Sequence, residues 1–145
     1  MKIDMREKSK NFSKEKITFM SYFIKTFSMA LTHYPKMNSW YNPESAFEYS
    51  LVDNHNITIA IDTPNGLAVP NIKNVQNLNI TEVQIELNRL IKAAKDGKIE
   101  RKDIEGGTIS ISNIGTVGGT YARPLILSPQ VAIVALGKTR RLPRF

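Results

Sequence analysis

The chain has 145 residues, 41% apolar and 23% charged, the balance of a globular domain rather than a disordered segment. It contains no cysteine, which excludes disulfides, cysteine-ligated zinc or iron–sulfur sites and a cysteine nucleophile. A formal charge of +7 favours an anionic partner without saying which, and no apolar run approaches the ~20 residues of a membrane-spanning helix.

Residues 1–16 mix Lys2, Arg6, Lys8, Lys10, Lys14 and Lys16 with Asp4, Glu7 and Glu15. That fits neither a secretory signal nor an acid-poor presequence and reads as an exposed face. No repeat or linker divides the chain, so it is treated as one unit. In residues 16–33, Phe19, Phe23 and Phe27 fall four apart, with Met20, Ile24 and Leu31 beside them. This spacing predicts a helix whose aromatic face is core, stopped by Pro35.

The period then changes to two. Residues 47–51 and 57–62 read as strands, the second alternating Ile57, Ile59 and Ile61 against Thr58 and Ala60. Thr63-Pro64-Asn65-Gly66 is a turn signal, and residues 67–69 return as the second arm of a hairpin. Asp62 is read as able to cap that turn through its side chain. A second helix is expected over 81–96, with Asn79 and Glu82 forming a capping box. Val83, Leu87, Leu90, Ile91 and Ala94 make its buried stripe, and Gly97 ends it. After a loop holding Asp103, Gly106 and Gly107, two strands follow over 108–114 and 131–136. The second is continuously apolar, as a strand covered on both faces would be. Strands interleaved with helices predict a two-layer α/β sandwich.

Ser112-Asn113-Ile114-Gly115-Thr116-Val117-Gly118-Gly119 is the stretch most able to carry chemistry. Alternation places Ser112 with Thr108 and Ser110, opposite the isoleucines. Its hydroxyl could face a cavity at the strand end, or could satisfy local backbone groups; spacing leaves both open. The glycines match neither a dinucleotide fingerprint nor a phosphate loop. His33, at a helix end, and His55, before a strand, have no nucleophile or metal partner in the sequence and read as structural, and Trp40 reads as a packing or rim aromatic. The basic tail with Lys138, Arg140, Arg141 and Arg144 is a solvated end or an anion-binding edge.

Several blocks, in order, carry a family resemblance. They are Val69-Pro70-Asn71-Ile72-Lys73-Asn74-Val75-Gln76, Glu86-Leu87-Asn88-Arg89-Leu90, Gly106-Gly107-Thr108 through Gly115, Gly118-Gly119-Thr120-Tyr121-Ala122-Arg123-Pro124, and Ala135-Leu136-Gly137 with Leu142-Pro143-Arg144-Phe145. The sequence resembles the acyltransferase subunit of 2-oxoacid dehydrogenase complexes, in wording closest to the branched-chain transacylases. The resemblance implies a chloramphenicol acetyltransferase-like α/β fold with a mixed sheet, trimers with sites between subunits, and a larger core that engages the dehydrogenase components. The chemistry it implies is acyl transfer from a lipoyl thioester to coenzyme A, in the mitochondrial matrix, with no nucleic-acid or membrane partner and no metal. Ser112 matches the serine that donates to the oxyanion. Asp62, Asn113, Thr116, Gly137, Thr139 and Thr18 match positions that approach coenzyme A. The family's general base lies in a His-x-x-x-Asp-Gly motif that neither His33 nor His55 matches. Residues 1–145 are therefore expected to be a partial catalytic domain, incomplete at both ends, with the lipoyl group carried on a domain outside the chain. The rival expectation is a non-catalytic assembly or regulatory subunit that docks on complete acyltransferase trimers.

Overall fold

A computed structural model describes residues 16–42, 44–45, 48–115 and 123–139. Helix α1 spans Phe19–His33, capped by Thr18, whose hydroxyl oxygen accepts from the Ser21 amide. After a 3-10 turn at Pro35–Met37 come the short strands β1 (Ser39–Tyr41) and β2 (Tyr49–Leu51), paired antiparallel. Strand β3 is Ile57–Ile59, β4 Ile61–Thr63, β5 Gly66–Ala68 and β6 Asn71–Ile72. Helix α2 covers Ile80–Lys95, a short α3 covers Arg101–Ile104, and β7 (Ile109–Asn113) and β8 (Ile133–Leu136) follow.

The principal sheet has the order β6-β3-β7-β8. The β3–β7 and β7–β8 pairs are parallel and β3–β6 is antiparallel, which is the mixed sheet that was expected. Ile57, Ile59, Ile72, Ile109 and Ile111 join Ile24 and Leu31 of α1 and Val83, Leu87 and Leu90 of α2 in one buried cluster. Both long helices thus cover the isoleucine face, and the fold is a two-layer α/β sandwich. The opposite face presents, in register, Asn71, Thr58 and Ser110.

Helix α2 follows its sequence signals closely. Asn79 Oδ1 accepts from the amides of Thr81 and Glu82 at 2.9 and 3.0 Å, and Glu82 Oε2 accepts from the Asn79 amide at 2.7 Å. Three otherwise unpaired donors are satisfied reciprocally. Asn79→Ala is expected to cost about 1 kcal/mol, read as a lower midpoint in chemical denaturation. Gly97 takes φ +65° just past the helix end, where a residue without a side chain meets no steric penalty.

Four expectations are corrected. Phe19 and Phe23 are 56% and 47% exposed; the core side of α1 is Ile24 and Leu31 with Met20 and Phe27 packed against them, and it also buries Ser21 and Ser28. Both stripes have helical spacing, and α2 decides between them by docking on only one. Residues 57–62 are two strands, not one: β3 ends at Ile59, and β4 leaves the principal sheet after Ala60 to form the β4–β5 ribbon. The turn at its tip is held by Thr63, not Asp62. Thr63 Oγ1 donates to the Gly66 carbonyl at 2.7 Å and accepts from the Asn65 amide at 3.2 Å, while Asp62 is exposed. Finally, β8 stands at the end of the strand order with Ala135 exposed, so its apolar run is only half covered among the described residues.

The loop expected around Asp103 contains α3. Its Asp103 carboxylate is buried and receives Arg89 Nη2 at 2.7 Å, while the same guanidinium holds Glu86 at 2.6 Å. Arg89 keeps the Asp103 carboxyl below its ordinary range, against the opposing effect of burial. A lowered carboxyl pKa means that this stabilisation is full above about pH 4 and is lost as pH falls through the folded-state value.

Candidate functional site

The C-terminal ends of β7 and β8 form a compact cluster. Ser112 lies opposite Ala135 and Asn113 opposite Leu136, and the Ile114 amide donates to the Leu136 carbonyl at 3.0 Å. On the other side the Ala60 amide donates to the Ile111 carbonyl at 3.1 Å, which brings Ala60 alongside Ser112. Two alanines thus flank the serine, leaving its side chain room. Ser112 is half-buried, and its hydroxyl forms no hydrogen bond with the described residues.

Asn113 is exposed, and its Oδ1 accepts from the Gly115 amide at 3.1 Å. Its amide nitrogen has no acceptor among the described residues. A Cβ on Gly115 would come within 3.1 Å of the Gly137 carbonyl oxygen and 3.3 Å of Asn113 Oδ1. Glycine at this position lets the two strand ends close on each other. Gly137, Lys138 and Thr139 leave β8 exposed to solvent beside this cluster. Thr116 and residues 140–145, which hold the rest of the basic tail, lie outside the described residues.

The other two predicted positions are held elsewhere. Thr18 donates its amide and its hydroxyl to Gln84 Oε1, both at 2.8 Å, so its hydroxyl can offer a ligand only a lone pair. Gln84 is buried, and its own Nε2 donates to Asn88 Oδ1 at 2.9 Å. Asp62 extends from the β4–β5 ribbon. The sequence-based reading missed Gln84 altogether, because a glutamine amid helical polar residues carries no sign that it points inward.

Neither histidine lies on a strand of the principal sheet. His33 occupies the last turn of α1, where a cation complements the helix dipole. His55 is buried, its Nδ1 2.8 Å from Ser28 Oγ. Burial holds its imidazole below the ordinary histidine range, the nearby Lys25 ammonium adds to this, and the Ser28 contact opposes it. A base whose folded pKa is depressed supports the fold fully above the unfolded value near 6.5, and that support fades as pH falls below it. The melting temperature is therefore expected to drop between pH 7 and pH 5.5, with a shallower drop in His55→Gln. Equal slopes in the two proteins would contradict this.

No helix among the described residues is long and apolar enough to cross a membrane. A mixed sheet with helices on one face is the fold of solved acyltransferase cores. A dihydrolipoamide acetyltransferase of Azotobacter vinelandii, studied for the role of a serine, a histidine and an asparagine in its catalytic mechanism, superposes with a TM-score of 0.86 at 27% identity, over 97% of this chain and 57% of that one. The cubic core of a pyruvate dehydrogenase multienzyme complex also gives 0.86, at 28% identity over the same shares.

The chain belongs to the 2-oxoacid dehydrogenase acyltransferase family, whose catalytic-domain model it matches over residues 2–145. It is 48% identical over 146 residues to the mitochondrial lipoamide acyltransferase component of the branched-chain alpha-keto acid dehydrogenase complex of Caenorhabditis elegans, covering 99% of this chain. The corresponding Arabidopsis thaliana component is 49% identical over 130 residues and 90% of this chain. The chain spans 32% and 27% of the lengths of these two relatives. The pyruvate dehydrogenase acetyltransferase component of Staphylococcus aureus is less similar, at 38%.

Proposed function

We propose that this chain carries the oxyanion-stabilising part of an acyl-transfer site, which moves an acyl group from a lipoyl thioester to the thiol of coenzyme A in a branched-chain 2-oxoacid dehydrogenase core. The observation that carries the reading is Ser112: a half-buried hydroxyl without a partner among the described residues, flanked by two alanines. In the exchange a carbon–sulfur bond forms to coenzyme A and the bond to the lipoyl sulfur breaks. The thiol proton passes through a base to the departing sulfur. Ser112 donates to the carbonyl oxygen as its negative charge develops, where a fixed donor is most effective.

The strand-end residues fit a coenzyme A arm. Asn113 has amide hydrogens to donate, Gly137 and Thr139 are open, and Lys138 adds positive charge. Thr116 follows Gly115 in the sequence and is matched by the resemblance alone. Thr18 and Asp62 complete the set as an acceptor and a carboxylate on separate elements. By the resemblance the base is the histidine of a His-x-x-x-Asp-Gly motif, which neither His55, in contact with Ser28, nor His33, at the end of α1, matches. Residues 1–145 taken by themselves are expected to turn over about 10²–10⁴-fold more slowly than a relative that carries that motif, while still binding coenzyme A. By the resemblance, the lipoyl group is presented on a separate lipoyl domain. The relatives' names support residence in the mitochondrion, and the resemblance implies the matrix, a trimer, a higher core and contact with the dehydrogenase components.

Calorimetric titration of the chain with coenzyme A tests the reading; saturable binding supports it and no heat of binding overturns it. The mismatch of both histidines to the family's His-x-x-x-Asp-Gly motif also motivates a second reading, in which the chain docks on complete acyltransferase trimers as an assembly or regulatory subunit. Co-purification with a complete acyltransferase supports that reading, and a strictly monomeric chain in its presence overturns it.

A further inference from the structure

The polar face of the sheet holds a second concavity, at the opposite end of the β7–β8 pair from Ser112. It has a volume of about 430 Å³, within the usual span of small-ligand sites. Trp40, Val69, Ile104, Leu127 and Pro129 form its largely apolar walls, and Thr58 and Gln130 contribute to its floor. Ser112 does not line it. Trp40 Nε1 donates to the Gly107 carbonyl at 3.1 Å, which fixes the indole and commits its donor.

The floor is a directed hydrogen-bond relay. Ser110 Oγ donates to Gln130 Oε1 at 2.5 Å, and Gln130 Nε2 donates to Thr58 Oγ1 at 3.1 Å. Thr58 and Gln130 are only 3% and 4% exposed, yet among the described residues the Thr58 hydroxyl hydrogen and the second Gln130 amide hydrogen have no acceptor. Buried donors left without acceptors are costly, and an entering acceptor would relieve them. Among the described residues no cation lines the walls; the nearest ammonium, that of Lys73 beside lining Gly106, is engaged by the Glu105 carbonyl. The acid that does line it, Glu105, is paired with Arg101 and opposes an anionic guest.

We propose that this cavity binds a small neutral carbonyl compound, an amide or ester with a compact apolar body, whose oxygen accepts from Thr58 and Gln130 while its body lies against Trp40. A carboxylate of the same shape is rejected, because its charge would be desolvated without a counter-ion.

Trp40 is the chain's one tryptophan, so its emission reports occupancy directly. Titration with benzamide is expected to change that emission saturably, with a Kd of about 1 mM, as suits so small a ligand. Thr58→Val should weaken binding roughly ten-fold, and Val69→Phe, which fills the cavity from its wall, should abolish the response, both with unchanged far-ultraviolet circular dichroism. Benzoate should bind at least about ten-fold more weakly than benzamide. A linear, non-saturating change matching that of free N-acetyltryptophanamide would overturn the site. Equal affinity for benzoate, or an unaltered response in the folded Val69→Phe protein, would overturn it too.

Discussion

Replacing Ser112 by alanine is expected to lower acyl transfer to coenzyme A by about 10²- to 10³-fold, while leaving the affinity for coenzyme A unchanged. The physical reason is that the hydroxyl's attraction grows as the carbonyl oxygen gains charge, so its loss is felt in kcat rather than in ground-state binding. The measurement that isolates it is complementation: a complete family member whose own oxyanion serine has been removed is mixed with this chain, and acyl transfer from acylated dihydrolipoamide is followed. The native chain should restore turnover and the Ser112→Ala chain should not. Rescue by both would show that the restored activity does not pass through this hydroxyl. Ser112→Thr keeps the donor but adds a methyl beside Ala60 and Ala135, and is expected to fall between the two.

The second large effect lies on the other side of the same strand. Ile111 is 1% exposed and belongs to the cluster against which α1 and α2 pack. Ile111→Ala should destabilise the fold by about 2–5 kcal/mol, since it leaves a cavity as well as losing apolar burial, and Ile111→Val by about 0.5–1.5 kcal/mol. Urea denaturation followed by circular dichroism measures both. The valine variant should hold Ser112 in place and keep its complementation activity. If Ile111→Ala unfolded at the native midpoint, the placement of β7 at the centre of the sheet would be wrong.

These two neighbours show how unequally the structure was legible in the sequence. Helix α2, with its Asn79–Glu82 cap and its Val83, Leu87 and Leu90 stripe, was readable because all its signals fall within a few residues of one another. The β4–β5 turn was readable for the same reason, though Thr63 rather than Asp62 ties it. Alternation likewise placed Ser112 and Ser110 on one face. Helix α1 was readable as a helix but not in its orientation: two apolar stripes share its circumference, and only contact with α2 selects Ile24 and Leu31 over Phe19 and Phe23. The buried polar residues Gln84, Gln130 and Thr58 were not legible, because their partners lie on other elements far along the chain.

Among the site residues, the sequence offered the Ser112 motif through family resemblance, and offered by itself only that a hydroxyl ends a strand. The structure brings Ser112, Asn113, Gly115 and Gly137 together, keeps Thr18 on Gln84, and buries His55 against Ser28. The sequence alone thus determined the two long helices, the Asn79–Glu82 cap and which residues alternate in β3 and β7, since backbone propensity and periodicity act over one or two turns. Tertiary structure decided which helix face is core, where the long isoleucine run breaks into two sheets, and which polar groups end without partners. Those outcomes depend on packing between residues dozens of positions apart, a free energy that no local pattern encodes.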